Sequence, residues 1–164
     1  MVLAYDSFKY IYKDGRIENI DMHTMVKHFE LAVLRIADSL EFDIVHAHDW
    51  LTFRAALNLK HRKNCPIILH VHSVESDRAA GGYGNPLVRE IEEQSLMLAD
   101  QVIAVSNRTK QAIVEDYGID PAKISVVHNS IDQTNIVDEV TDNNYSYLEQ
   151  LKSQGYRIVS SVGR

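Results

Sequence analysis

Phe42-Asp43-Ile44-Val45-His46-Ala47-His48-Asp49-Trp50 is an apolar run that stops abruptly at two histidines, a carboxylate and an indole. A short Val- and Ile-containing run of this kind reads as a buried strand, and polar groups gathered at the end of such a strand face a ligand. Pro66-Ile67-Ile68-Leu69-His70-Val71-His72 ends the same way and leads into Ser73-Val74-Glu75-Ser76-Asp77-Arg78. Two strand ends then furnish one polar crevice, and in an open parallel sheet that crevice is the expected binding site.

Outward from these two runs the pattern repeats. Ile44 to His46, Ile67 to Val71, Val102 to Val105, Ile124 to Val127 and Ile158 to Val162 are short apolar runs separated by longer segments of helical character. That alternation predicts an α/β fold, a Rossmann-like parallel sheet with helices on both faces, because runs apolar at consecutive positions need cover on both sides. Val26, Phe29, Val33, Ile36, Ala37 and Leu40 recur at steps of three or four and predict an amphipathic helix over 22–40. Residues 51–60, 87–99 and 107–117 are further helices, the last stopped by Gly118, and Asp120-Pro121 caps a short turn. Ser106 is expected to cap the helix that follows it. Residues 8–17 carry aromatic and β-branched side chains into Asp14-Gly15 and predict a hairpin or an edge excursion. Residues 81–86 read as a mobile loop and 141–144 as a polar connector.

The 164 residues suffice for one domain with a real core, and 45% apolar with 24% charged residues is ordinary for a globular protein. A net charge of -6 argues against nucleic acid or anionic lipid as a partner. The basic cluster Lys60-His61-Arg62-Lys63 suits the C-terminal end of a helix. Cys65 is the single cysteine, so no internal disulfide forms, and beside Pro66 it reads as a core residue. With no signal-peptide pattern and no run of membrane-spanning length, the expectation is a soluble cytoplasmic protein without a membrane partner. No glycine-rich strand-to-helix turn opens the chain and its last residues resemble a strand with nothing after it, so the sequence reads as a fragment of a larger protein.

With these residues in view, the chain resembles the retaining nucleotide-sugar glycosyltransferases of the two-domain GT-B fold, closest to the glycogen and starch synthase branch. The resemblance covers roughly Phe42 to Asp132 and the last strand, in matching order. It is carried by Val45-His46-Ala47-His48-Asp49-Trp50, by Leu69-His70-Val71-His72-Ser73-Val74-Glu75, by Ala99-Asp100-Gln101-Val102-Ile103-Ala104-Val105-Ser106 with Lys110, by Val126-Val127-His128-Asn129-Ser130-Ile131-Asp132, and by Val162-Gly163-Arg164. Ser130 stands where the family has glycine, and would be strained if the position needs a positive φ. The resemblance implies that residues 1–155 are a partial N-terminal, acceptor-side domain. Residues 156–164 would be the first strand of an otherwise absent donor-binding domain.

By the same resemblance the reaction is transfer of a hexosyl unit, glucosyl in the first instance, from ADP-glucose or UDP-glucose to an α-glucan with retention, without a cofactor. His72 aligns with the histidine at the transferred hexose and Asp49 with the carboxylate on the acceptor side. Asn129 and Arg164 align with donor-binding groups. His46, His48, Trp50, Glu75 and Arg78 would shape the acceptor wall. Structural alternatives stay open: His46 and His70 as core groups, Asp49 as a helix cap, Trp50 as packing. Three functional alternatives also stand. One is another GT-B hexosyltransferase of sucrose-phosphate, trehalose or lipid-glycan type. Another is a zinc hydrolase gathering His46, His48, His70, His72 and Asp49, since each histidine pair shares a strand face, although no further metal-ligand signature follows. The third is a noncatalytic sugar-binding domain. The chain alone is expected to be inactive.

Overall fold

The computed structural model describes residues 9–12, 14–80, 82–130 and 145–160. The expected hairpin forms from β1 (Lys9–Ile11) and β2 (Ile17–Asn19), paired antiparallel. It turns at Gly15, whose φ of +83° is open to glycine at no steric cost. α1 (Met22–Ala37) begins where Asp21 accepts the Thr24 N–H at 2.7 Å, and stops one turn short of the predicted Leu40.

Three strand-helix repeats and a fourth strand follow. β3 (Val45–His48) leads to α2 (Trp50–Lys63), β4 (Ile67–Val71) to the single turn α3 (Glu75–Arg78) and to α4 (Pro86–Leu98). β5 (Gln101–Ala104) leads to α5 (Asn107–Tyr117), and a 3-10 turn at Pro121–Lys123 leads to β6 (Ile124–Val126). The caps are those the sequence predicts: Ser106 accepts the Thr109 N–H at 3.0 Å, Gly118 ends α5 at φ +65°, and Asp120 accepts the Ala122 N–H at 2.8 Å. Lys60, Arg62 and Lys63 lie in the last turn of α2, where they favour the carbonyl end of the helix dipole. Lys60 also binds Asp100 at 2.7 Å, and Arg62 binds Asp38. Cys65 is buried.

The sheet is parallel in the order β3-β4-β5-β6, with Val45 opposite Ile67, His48 opposite His70, Leu69 opposite Val102 and Ile103 opposite Ser125. Because the strands are laid down in sequential order, right-handed crossovers carry every connecting helix to the same face. That face is the core: Ile67, Leu69, Val102 and Ala104 are sealed against Phe53, Leu96 and Ile113, each at 0–1% exposure. Full burial of one such side chain contributes about 1.5–3 kcal/mol.

Cover on both faces, expected from consecutive apolar positions, is not what forms among the described residues. The second face carries His46, His48, Ile68, His70, Gln101, Ile103 and Ser125, all exposed or half-buried. The reason lies in the topology: one direction of strand addition gives one helical layer.

Met1–Asn129 and Ser130–Arg164 are separate units. In the second, α6 spans Ser146–Ser153. Of the strand expected at 158–162, residues 158–160 are described and are not in a strand. Residues 161–164, Gly81, and the segment 131–144 with Ile131, Asp132 and the expected polar connector lie outside the described residues.

Candidate functional site

The two histidine pairs meet on the open face. Alternation along β3 puts His46 and His48 on one side, and the register sets His48 directly opposite His70, with His72 two residues further on. The four rings form a stack: 4.5 Å between the centroids of His46 and His48, 4.7 Å for His48 and His70, and 4.7 Å for His70 and His72. His48 Nδ1 and His72 Nε2 are 3.1 Å apart, so one imidazole donates to the other. Desolvation, and then repulsion from the neighbouring imidazoles, hold the pKa values of His48 and His70 below the ordinary histidine value, with Asp49 opposing. Both rings are therefore neutral near pH 7, and each can donate through one nitrogen and accept through the other.

Asp49 joins the two strand ends. Its backbone sits at φ 59° and ψ 164°, a region almost confined to glycine that costs about 1–3 kcal/mol. Two bonds across β3 and β4 hold it there: its N–H donates to His70 O at 2.9 Å, and its Oδ1 accepts the His72 N–H at 2.9 Å. Asp49 occupies the N-cap position of α2 without a side-chain cap bond, so its carboxylate serves the strand end and not the helix. Trp50, half-buried, packs against the core.

Glu75 and Arg78 are engaged within the protein. Arg78 donates to Glu75 Oε2 at 3.0 Å, to Ser73 O and Ser73 Oγ at 2.9 Å, and to Glu92 Oε1 at 2.5 Å. Burial pulls its pKa down, but the bond and charge of Glu92 outweigh this and leave it raised. Glu75 Oε1 accepts the Asn85 N–H at 2.7 Å, and Asn85 in turn caps α4. These contacts lash the segment after His72 to the start of α4.

Sequence reasoning missed the residue at the centre of this network. Glu92, 2% exposed, also accepts the Glu75 N–H at 3.0 Å and the Tyr117 hydroxyl. Burial and then the bond to Glu92 push the Tyr117 pKa far up. The signal was present: Val88, Ile91, Ser95 and Leu96 form the buried stripe of α4, and a carboxylate within such a stripe requires partners.

Asn129 is exposed and follows the carboxyl end of β6, a strand two spacings or about 10 Å from β4 in the sheet. Among the described residues the positive-φ positions outside glycine are Asp49, Asn64 and Ala80, so Ser130 carries no such strain. Lys110 donates to Pro121 O at 2.8 Å and Ile124 O at 2.6 Å, tying α5 to the start of β6. Arg164 lies outside the described residues. A polar recess between α3 and α5, lined by Asp77, Arg108, Gln111 and Glu115, contains none of the expected site residues.

Residues 19–135 match the model of Glycosyltransferase Family 4. The chain belongs to that family. An uncharacterized glycosyltransferase from Methanocaldococcus jannaschii is 31% identical over 93 residues, 56% of this chain and 24% of that protein. A glycogen synthase from Mycobacterium tuberculosis is 32% identical over 93 residues, covering 55% and 22%. A D-inositol 3-phosphate glycosyltransferase from Mycolicibacterium vanbaalenii is 31% identical over 124 residues, covering 71% and 28%. This family 4 chain thus spans about a quarter of the length of the curated relatives it matches. The solved sucrose-phosphate synthase from Thermosynechococcus elongatus superposes with a TM-score of 0.58 over 78% of this chain and 36% of that one, at 12% identity. The α/β fold expected from the sequence is accordingly that of a GT-B glycosyltransferase domain. No described helix is long and apolar enough to cross a membrane.

Proposed function

We propose that this family 4 chain is the acceptor-side part of a retaining hexosyltransferase that moves a glucosyl unit from ADP-glucose or UDP-glucose to an α-glucan. The observation that carries the reading is the junction at the two strand ends, where Asp49 Oδ1 holds the His72 backbone and His48 meets the His72 ring at 3.1 Å. In this reading His72 hydrogen-bonds a hydroxyl of the transferred hexose. Asp49 fixes the strand end that presents His72, with His46 and His48 forming the adjoining wall. Glu75 and Arg78 hold the loop behind it.

Departure of a diphosphate leaves charge on the leaving oxygens while the anomeric carbon turns cationic. Fixed donors and cations aimed at those oxygens are then the largest contribution a protein can make. Asn129 and Arg164 take that role in the proposal, Arg164 by a bidentate grip on phosphate oxygens. The relatives leave room for a second acceptor class, because the inositol phosphate enzyme matches the greater share of this chain. A net charge of -6 favours the neutral glucan over a phosphorylated polyol.

Nucleoside diphosphate release decides between these readings, measured in a two-domain protein carrying these residues, with each donor and with maltooligosaccharide or inositol 3-phosphate as acceptor. Release that needs the oligosaccharide and collapses in His72→Ala is the expected result. Release with inositol phosphate alone would move the acceptor to the second class. An undiminished rate in a folded His72→Ala protein would overturn the site. Residues 1–164 alone are expected to release none.

A further inference from the structure

We propose that His46, His48 and His70 form a binding site for a divalent transition ion of borderline softness, with Zn²⁺ as the type case, on the open face of the sheet. The strand period and the register together make the site: a His-x-His pair on β3 faces one way, and the third imidazole stands across from its second member on β4. One ring nitrogen from each lies within 4.8 Å of the others. Tetrahedral zinc with Zn–N bonds of about 2.0–2.1 Å sets its ligand nitrogens roughly 3.4 Å apart. The cluster must therefore tighten by little more than 1 Å, and the exposed His46 and His48 rings must turn out of their stack to aim a lone pair at the point shared with His70.

Two further observations point to a ligand. Both ring nitrogens of His70 are buried and make no hydrogen bond, a rare condition for polar atoms and one that an ion relieves by taking a lone pair. His48 is oriented by its neighbour: with Nδ1 donating to His72, its Nε2 is left as the lone-pair donor, the arrangement in which outer hydrogen bonds fix metal-ligating histidines. An all-imidazole donor set selects zinc, copper, nickel or cobalt over magnesium or calcium, and three protein ligands leave one position for water.

The ion would sit on the wall that His46 and His48 form beside His72. Where the proposed function holds, an ion drawing on His48 also perturbs His72 and makes transfer zinc-inhibited. Direct binding tests the site without reference to activity.

The purified 164-residue chain, stripped with a chelator, is titrated with Co²⁺ and followed by the visible bands of four-coordinate cobalt, then back-titrated with Zn²⁺. One equivalent should bind, zinc should displace it, and His46→Asn and His70→Asn should each weaken binding at least about tenfold. His61→Asn, on the distant end of α2, should leave the titration unchanged. His46 is exposed, so its variant keeps the test valid even where the half-buried His70 variant does not fold. Absence of the cobalt bands, or a His46→Asn titration identical to that of the unaltered chain, overturns the proposal.

Discussion

Replacing Glu92 with alanine should be the most damaging single polar substitution in the described structure. The side chain is 2% exposed and takes three donors, from Arg78, Tyr117 and the Glu75 backbone. Its loss strands a half-buried guanidinium, a buried hydroxyl and a backbone N–H together. Removing one partner of a buried ion pair costs about 3–5 kcal/mol, a large part of the roughly 5–15 kcal/mol that holds a domain folded. At a urea slope near 2 kcal/mol/M the midpoint should fall by about 2 M. Tyr117→Phe removes one donor and leaves the carboxylate two others, so it should cost about 1 kcal/mol. The double variant should be less unstable than the sum, by about 1–3 kcal/mol, because the hydroxyl is not left orphaned twice. Urea unfolding of the four proteins, followed by circular dichroism, gives the cycle. A Glu92→Ala cost below about 1 kcal/mol, or strict additivity, would refute the argument that this carboxylate organises the loop behind His72.

Asp49→Gly and Asp49→Ala should separate strain from bonding: both lose the bond to His72, but glycine relieves a φ of 59°, so it should be the more stable by about 1–3 kcal/mol in thermal melts. Gly84→Ala should destabilise by a similar amount, since a Cβ there would stand 2.5 Å from Glu75 Cγ at a φ of +73°, and proteolysis of the 79–85 loop should accelerate. Lys60 and then the Ile67 N–H hold the Asp100 carboxyl below its ordinary 3.8. A depressed carboxyl favours the folded state above the unfolded value and loses that advantage as pH falls through it toward the folded one. Asp100→Asn should therefore flatten the pH dependence of the urea midpoint below about pH 4, and an unchanged acid limb would count against the contact.

Much of this was written locally. The caps at Ser106, Gly118 and Asp120 follow from side-chain oxygens and a missing Cβ acting within three residues, so short-range chemistry suffices to read them. The gathering of His46, His48, His70 and His72 also follows from local rules, because period two and parallel pairing leave few registers. The roles expected of Glu75 and Arg78 were less legible. Their shared partner Glu92 comes from α4, and Tyr117, which bonds the same carboxylate, from α5, and only folding brings those together.

The sequence by itself determined the strand-helix alternation, the strand ends where polar groups collect, and the residue types available there. Each depends on hydrophobic periodicity or on contacts within a turn. Tertiary structure alone decided that a single face of the sheet is covered among the described residues, that Asp49 is bent into a strained backbone by bonds to the neighbouring strand, and that Glu92 anchors the loop after His72. Those outcomes depend on the direction of strand addition and on partners distant along the chain, information that no local pattern of residues contains.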